Sequence, residues 1–240
     1  MNKNLISRLN ESPVICAEGY LFAMERRGYL QAGAFVPEVV LEHPEVVTQL
    51  HREFIRSGSD VVQAFTYYGH REKLKIIGKE DKLEALQKNA LKIAKDAANE
   101  FPDLDLMIAG NVANTCVYDP NDNSTIAECR KMFEEQVAWA KEAGVDFIMA
   151  ETLSWLEEAK IALKVIKEAD MIAVTNITIH QEAKTRDGYT PEDACKILED
   201  LGSEVVGLNC SRGPKMTMQL LPKIREKVSC HVAALPVPYR

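Results

Sequence analysis

Several side chains that can do chemistry come directly after short apolar runs of the sequence. Cys210 follows EVVGLN, Glu151 follows DFIMA, and Glu18 follows PVICA. A thiol in such a place can hold a metal ion, and a carboxylate can bind an amine or orient a proton donor. The ordinary alternatives are a buried structural thiol and acids on a solvated rim, because lone cysteines are among the most buried residue types.

Aromatic side chains lie near the ends of the first two apolar runs along the chain, PVICA (13–17) and DVVQAF (60–65). They are Phe35, Tyr67 and Tyr68. Aromatic faces can surround a quaternary ammonium or a sulfonium group through cation–π attraction, although aromatic residues more often pack in a core or at its rim. The sequence therefore offers these three residues as candidates for binding a cationic ligand.

Cys210 cannot hold zinc alone, because a zinc site takes three or four protein ligands. His180 follows the apolar run MIAVTNI (171–177) and could lie near Cys210, although a hydrogen-bonded loop histidine is the commoner case. Cys230 and His231 are adjacent in one run, and neighbouring residues of a strand point to opposite faces. A site shared with both is not expected, so the ligand set is incomplete within these 240 residues.

Short runs of strand character alternate with helical patterns along the chain, and this alternation must position the candidate residues. The predicted strands are 13–17, 60–65, 105–110, 146–150, 171–177, 204–209 and 230–235. The predicted helices are 37–57, 80–99, 124–142, 154–168, 191–201 and 214–227.

Strict strand–helix alternation predicts an α/β fold with a parallel sheet, since a helix supplies the crossover that parallel neighbours need. Eight such units close a (β/α)8 TIM-type barrel, in which the chemistry lies at the carboxyl ends of the strands. We expect one barrel domain over residues 1–240, truncated after the seventh strand. An open doubly wound sheet is the alternative, but no GxGxxG turn follows the first strand.

Charge and cysteine usage narrow the class of protein. The chain has 29 basic and 36 acidic residues, a net charge of −7, which argues against general binding to nucleic acid or anionic membranes. The six cysteines are scattered singly, which suggests reduced thiols in the cytoplasm. The sequence shows neither a signal peptide nor an apolar stretch of about 18 residues. We expect a soluble cytoplasmic protein with a small ligand.

Taken together, the sequence segments around the candidate residues resemble those of a single protein family. They are EGYLFAMERRGYLQAG, HPEVVTQLHREFIRSGSDVVQAFTYY, AGNVANT, GVDFIMAET and VVGLNCSRGP. Over nearly the whole chain they resemble the homocysteine S-methyltransferase family, and within it the betaine–homocysteine branch. The resemblance implies a β/α barrel with zinc held by the cysteine of a G-[VL]-N-C segment and by a cysteine pair in a GGCCG segment. Cys210 matches the first ligand, and the pair is absent from this chain.

The resemblance also implies an activity and roles for individual residues. Zinc would make the thiol of homocysteine a thiolate, which attacks a methyl group on a cationic donor and gives methionine. Glu151 matches an acid that contacts the amino acid, and Tyr68, beside Tyr67, matches a tyrosine of the donor site. Phe35 takes the place of a donor-site tryptophan.

Three departures from the family pattern leave the donor open between a betaine-like compound and a sulfonium compound. The family's GDGG segment is CAEG here, so Ala17 replaces an aspartate, with Glu18 next to it as a substitute. Phe35 presents a weaker face to a cation than tryptophan does. Ala64 stands where the betaine branch has a threonine.

Three hypotheses stay open from the sequence. The first is a zinc-dependent methyltransferase with homocysteine and a methyl donor as its small-molecule partners, and the resemblance favours a homo-oligomer. The second is a catalytically incompetent short form that binds or pairs with another subunit through open sheet edges. The third is a barrel enzyme that uses Glu18 and Glu151 as an acid–base pair without a metal.

Overall fold

The strands and helices alternate along the chain. The computed structural model describes residues 4–31, 33–180 and 182–238. In these residues the strands are β1 Val61–Gln63, β2 Met107–Ala113, β3 Phe147–Leu153, β4 Ala173–Ile177, β5 Val205–Asn209 and β6 His231–Leu235. Each overlaps a predicted strand, so the predicted α/β class with parallel strands is confirmed; β2 and β3 extend three residues past their predicted ends, which places Glu151 inside β3. The barrel and its truncation after a seventh strand stay predictions.

The helices also follow the predicted pattern, with three more that the periodicity did not indicate. The helices are α1 Leu5–Leu9, α2 Tyr20–Arg26, α3 Val39–Glu42, α4 Pro44–Arg56, α5 Arg71–Ile76, α6 Leu83–Asn99, α7 Ser124–Ala143, α8 Leu156–Glu168, α9 Pro191–Asp200 and α10 Pro214–Lys227. The additional ones, α1, α2 and α5, have five to seven residues each, too few for the apolar periodicity to be recognised. No helix in the described part of the chain is long and apolar enough to cross a membrane.

Two predicted elements differ from the structure. The first predicted strand, 13–17, forms a single parallel bridge between Cys16 and Val61 rather than a strand. The predicted helix 37–57 is divided into α3 and α4 at His43, whose backbone (φ −141°, ψ 60°) is not helical. Pro44 explains the break, because the proline ring disfavours the helical conformation of the preceding residue.

The described chain divides into two compact units. The first unit contains Met1–Asn111 and Glu135–Phe147, and the second contains Val112–Glu134 and Ile148–Arg240. The expectation of a single domain over 1–240 stays a prediction. In the first unit β1 pairs in parallel with β2. Its apolar core includes Met24, Val40 and Leu86, each no more than 1% exposed.

The second unit contains four strands that pair in chain order. β3 pairs with β4, β4 with β5, and β5 with β6, all in parallel. The residues of β3, β4 and β5 are buried throughout, as expected for strands that are covered on both faces. Because the strands are parallel, their carboxyl ends lie at one edge of the sheet; Glu151 lies in the last three residues of β3, and Cys210 directly follows β5.

Candidate active site

The end of β3 has an irregularity at Glu151. From Ala150 to Leu153 the chain advances three residues, while the paired residues of β4 advance two, from Thr175 to Ile177. Such a bulge bends the strand and redirects the side chains within it. Glu151 is only 5% exposed, so the protein around it determines the direction of its side chain.

Asn209 holds this bulge. Its Oδ1 accepts a hydrogen bond from the backbone N–H of Thr152 (2.8 Å). Its Nδ2 donates to Glu151 Oε2 (3.0 Å) and to Thr152 Oγ1 (2.8 Å). Asn209 is 3% exposed and is the last residue of β5, directly before Cys210. One buried amide therefore joins the acid of β3 to the strand end that presents the thiol.

Two further side chains hold the same region from other elements. Thr178 donates from Oγ1 to the backbone oxygen of Asn209 (2.7 Å). Asn114, which follows β2, donates from Nδ2 to the backbone oxygen of Thr152 (3.1 Å). The main chain on both sides of the Asn209 amide is thus fixed by hydrogen bonds.

Left-handed backbone is concentrated at these strand ends. Thr152 has φ of 58°, Cys210 of 59° and Ser211 of 53°. This region is disfavoured for residues other than glycine, and most of all for a β-branched residue such as threonine. Strained backbone of this kind tends to occur at functional sites, where the surrounding structure enforces it.

Cys210 lies half-buried just past the end of β5. Its backbone N–H donates to Leu235 O of β6 (3.0 Å), and its backbone oxygen accepts from Arg212 N (2.6 Å). The position predicted for a metal-binding thiol is thus a tight turn held against the neighbouring strand.

The described residues do not complete a metal site around this thiol. They contain no group of three His, Cys, Asp or Glu side chains that could hold a metal ion. His180 instead has Arg186 Nε within 3.4 Å of its Nε2. Burial lowers the pKa of His180, and the positive charges of Arg186 and Arg212 lower it further. The thiol of Cys210 suits zinc, but the donors in this part of the chain are too few for a zinc site.

A buried carboxylate anchors the loop after β2. Glu158, 2% exposed, accepts hydrogen bonds at Oε1 from Thr115 N (2.7 Å) and from Thr115 Oγ1 (2.6 Å). Burial raises the pKa of Glu158, and the two bonds from Thr115 and the charge of Arg186 oppose that rise. Because Asn114 precedes Thr115, this anchor also fixes the residue that bonds to the bulge of β3.

In the first unit, Glu18 comes two residues before Tyr20, which begins α2 and forms a buried polar pair with His51. Tyr20 and His51 are 3% and 0% exposed, and Tyr20 Oη lies 2.9 Å from His51 Nδ1. Burial lowers the pKa of His51 to about 3, so the imidazole is neutral at physiological pH. Burial raises the pKa of Tyr20, and the charge of Glu18 raises it further. The Glu18 carboxylate is partly exposed.

The aromatic candidates of the first unit are half-buried. The rings of Tyr67 and Tyr68 lie 4.3 Å apart between centroids, at 42° to each other. Phe35 packs against the core of this unit. Tyr68 and Phe35 have left-handed backbone, with φ of 58° and 55°. The ammonium of Lys73, on α5, lies 4.2 Å from the centroid of the Tyr68 ring, so the protein itself already places a cation on that ring.

The sequence-based reasoning missed Thr152, Asn209 and Lys73. Asn209 had a usable signal, since it ends an apolar strand directly before the candidate thiol. Lys73 follows Tyr68 by five residues, which places it on the next helix. Nothing in the local sequence indicates that Thr152 adopts a left-handed conformation.

Known proteins resemble this chain in sequence and in fold. Betaine–homocysteine S-methyltransferase 1 of Sus scrofa is 34% identical over 99% of this chain and 87% of its own length. S-methylmethionine–homocysteine S-methyltransferase of Pongo abelii is 32% identical over 93% of this chain. The metallated form of the homocysteine methyltransferase MmuM from Escherichia coli has a similar fold, with a TM-score of 0.78 at 17% identity over 97% of this chain and 94% of that one.

The match to a family covers most of the chain. Residues 19–238 match the sequence model described as homocysteine S-methyltransferase. The chain spans about 60% of the length of betaine–homocysteine S-methyltransferase 1 from Bos taurus and from two Xenopus species. These relatives are named as S-methyltransferases. The chain belongs to the homocysteine S-methyltransferase family.

Proposed function

We propose that this protein transfers a methyl group from a cationic donor to the thiol of homocysteine, giving methionine. The observation that carries the proposal is the buried amide of Asn209, which holds the carboxylate of Glu151 at the strand end that presents Cys210. An amino acid with a thiol needs a partner for its ammonium group, and a carboxylate in a fixed direction supplies one. Membership of the family supports the same assignment.

In the proposed reaction, the thiol of homocysteine releases its proton to solvent and the sulfur lone pair forms the new bond to the methyl carbon. The bond between that carbon and the nitrogen or sulfur of the donor breaks, and its electron pair stays with the donor as a neutral amine or thioether. Glu151 accepts the ammonium group of the amino acid. Glu18 is the proposed substitute for the family's substrate-binding aspartate.

The donor is proposed to bind against Phe35, Tyr67 and Tyr68. Their rings offer faces that attract a quaternary ammonium or a sulfonium group equally. Relatives of both kinds are similar to this chain, one named for betaine and another for S-methylmethionine. Both donor classes therefore belong in the test.

Zinc is the proposed cofactor, with Cys210 as one ligand. The thiol is of the type that zinc prefers. The described residues contain no group of three His, Cys, Asp or Glu side chains that could hold the ion around this thiol, and the roles proposed above are those of the protein's own side chains. We also propose a cytoplasmic location, which the six free cysteines favour, and a homo-oligomer, which the family resemblance favours.

The test is transfer of a labelled methyl group. The protein, supplied with zinc, is incubated with homocysteine and either methyl-labelled glycine betaine or methyl-labelled S-methylmethionine, and labelled methionine is measured by mass spectrometry. We expect label from at least one donor, and none with Glu151→Gln. A folded wild-type protein that yields no labelled methionine from either donor would contradict the proposed function.

A further inference from the structure

We propose that Asn209 is a positioning residue for the amino acid substrate: its side-chain amide fixes the Glu151 carboxylate and the left-handed Thr152 in the arrangement that receives the ammonium group. This inference rests on the proposed function and assigns a role to a residue that does not itself touch the substrate.

The hydrogen-bond pattern requires an amide at position 209. Oδ1 must accept from the backbone of Thr152, while Nδ2 must donate both to Glu151 Oε2 and to Thr152 Oγ1. Aspartate has the same size but only acceptors when ionised, and leucine has neither donors nor acceptors. Among short side chains of this size, only asparagine provides acceptor and donors together.

The bonds are buried, and this makes them decisive for the direction of the carboxylate. Asn209 is 3% exposed, Glu151 5% and Thr152 9%. Water has little access to replace a lost partner, so a buried group left without one carries its full desolvation cost. A hydrogen bond to an ionised acceptor is also about twice as strong as a neutral one. The bond from the Asn209 amide to Oε2 therefore favours one orientation of the Glu151 carboxylate.

The position of Asn209 in the chain links two parts of the proposed site. Its backbone oxygen is held by Thr178, and the next residue is Cys210, whose N–H bonds to β6. The same residue thus fixes the acid that receives the ammonium group and the turn that presents the thiol. A shift of Asn209 would therefore displace both the Glu151 carboxylate and the turn that carries Cys210.

The central variant is Asn209→Asp, which keeps the volume and the acceptor but places a second carboxylate against Glu151. Binding of L-methionine, the product, is measured by calorimetry on the full chain, so the readout does not depend on turnover. We expect the dissociation constant to rise roughly ten- to a hundredfold, the range for losing a hydrogen bond to a charged group.

The matched control is Asn176→Asp. Asn176 lies on the neighbouring strand β4, is 4% exposed, and donates from its amide to the Met149 sulfur (3.1 Å). The same substitution therefore buries a carboxylate in the same unit and lowers the thermal midpoint. We expect its dissociation constant for methionine to match that of the wild type, which separates loss of stability from loss of positioning.

A second background keeps the test valid if Asn209→Asp folds poorly. Glycine adopts left-handed backbone without strain. In Thr152→Gly, the bulge therefore no longer needs the hydrogen bonds of Asn209 to hold residue 152 in that conformation. In this background we expect Asn209→Asp to fold and still to bind methionine weakly.

Three outcomes decide between the proposals. Weak binding by the Asn209 variants with normal binding by Asn176→Asp supports the inference. Equal binding by all folded variants overturns the role of Asn209 and leaves the proposed function standing. A folded wild-type protein that binds neither methionine nor homocysteine overturns the proposed function and the inference with it.

Discussion

The strand ends of the second unit and the aromatic cluster of the first unit hold their side chains in different ways. In the second unit, Glu151 and Thr152 are buried and fixed by the directional hydrogen bonds of Asn209. In the first unit, Tyr67 and Tyr68 are half-buried, with ring contacts to each other and a cation on the Tyr68 face.

This difference corresponds to the ligands that we propose for the two regions. A buried hydrogen bond has a narrow range of distance and angle, so it suits a substrate group that must be oriented. Cation–π attraction is tolerant of the shape of the cation, and it therefore suits a donor class that includes both ammonium and sulfonium compounds. The second unit is expected to determine which amino acid binds, and the first unit to accept a range of donors.

The largest effect is expected at Glu151. Glu151→Gln keeps an oxygen that can accept from Asn209 but removes the charge that pairs with the ammonium group of the substrate. Loss of one partner from a buried charge pair lowers affinity by roughly a hundredfold to a thousandfold. Calorimetric titration with L-homocysteine measures it. Unchanged affinity would remove the second unit's proposed role as the amino acid site.

A large loss of stability is expected at Gly207, two residues before Asn209 on β5. An alanine Cβ there would lie 2.0 Å from Ala233 O and 2.8 Å from Asn176 Oδ1. Gly207→Ala must therefore separate β5 from β6, and we expect it to lower the free energy of unfolding by about 3 kcal/mol. Gly202→Ala is the control: its Cβ meets no atom closer than Lys167 Cε at 3.9 Å, so only its φ of 98° costs energy, about 1 kcal/mol. Equal losses in denaturant titrations would contradict this packing.

A smaller, pH-dependent effect is expected at Glu158. Burial raises the pKa of Glu158 in the folded state above its ordinary value, so the folded protein retains the proton more readily than the unfolded chain does. This contribution to stability is present at low pH and is lost as the pH rises through the raised pKa. The glutamine of Glu158→Gln does not titrate. We therefore expect the thermal midpoint of this variant, relative to that of the wild type, to be about 2–4 °C higher at pH 8 than at pH 4. A difference that stays constant with pH would show that burial does not penalise this carboxylate.

The smallest effect is expected in the first unit. Lys73→Met removes the ammonium that lies on the Tyr68 ring, so a cationic ligand no longer competes with it. We expect affinity for tetramethylammonium to rise by roughly two- to fivefold, the value of a cation–π contact at an exposed site. Lys75→Met is the matched control, because Lys75 is on the same helix and its ammonium lies 3.8 Å from Glu72. An equal change in both variants would indicate a general charge effect rather than competition for the ring.

The strands could be predicted because the continuous apolar character of a run indicates a strand that is buried on both faces. Apolar runs such as 146–150 and 204–209 became β3 and β5, both fully buried. The run 13–17 is also apolar and lies beside β1, yet it forms only one bridge, between Cys16 and Val61. The break before Pro44 could have been predicted from the proline, and the periodicity over 37–57 obscured it.

The candidate site was predictable in its residue types and not in its geometry. Glu151 and Cys210 were found because each follows a run that the sequence predicts as a strand, although in the structure Glu151 lies inside β3. The bulge at Thr152 could not be found, since a left-handed threonine is locally unfavourable and exists only because distant residues hold it. Asn209 supplies that support from 57 residues away in sequence, and such a long-range bond leaves no periodic signal.

The most direct measurement is a crystal structure of the protein with L-homocysteine bound. We expect density for the amino acid in the second unit, with its ammonium nitrogen at hydrogen-bond distance from the Glu151 carboxylate. We also expect the Asn209 amide to remain hydrogen-bonded to Glu151 Oε2. Homocysteine bound away from Glu151, or an Asn209 side chain turned away from it in the complex, would contradict the account.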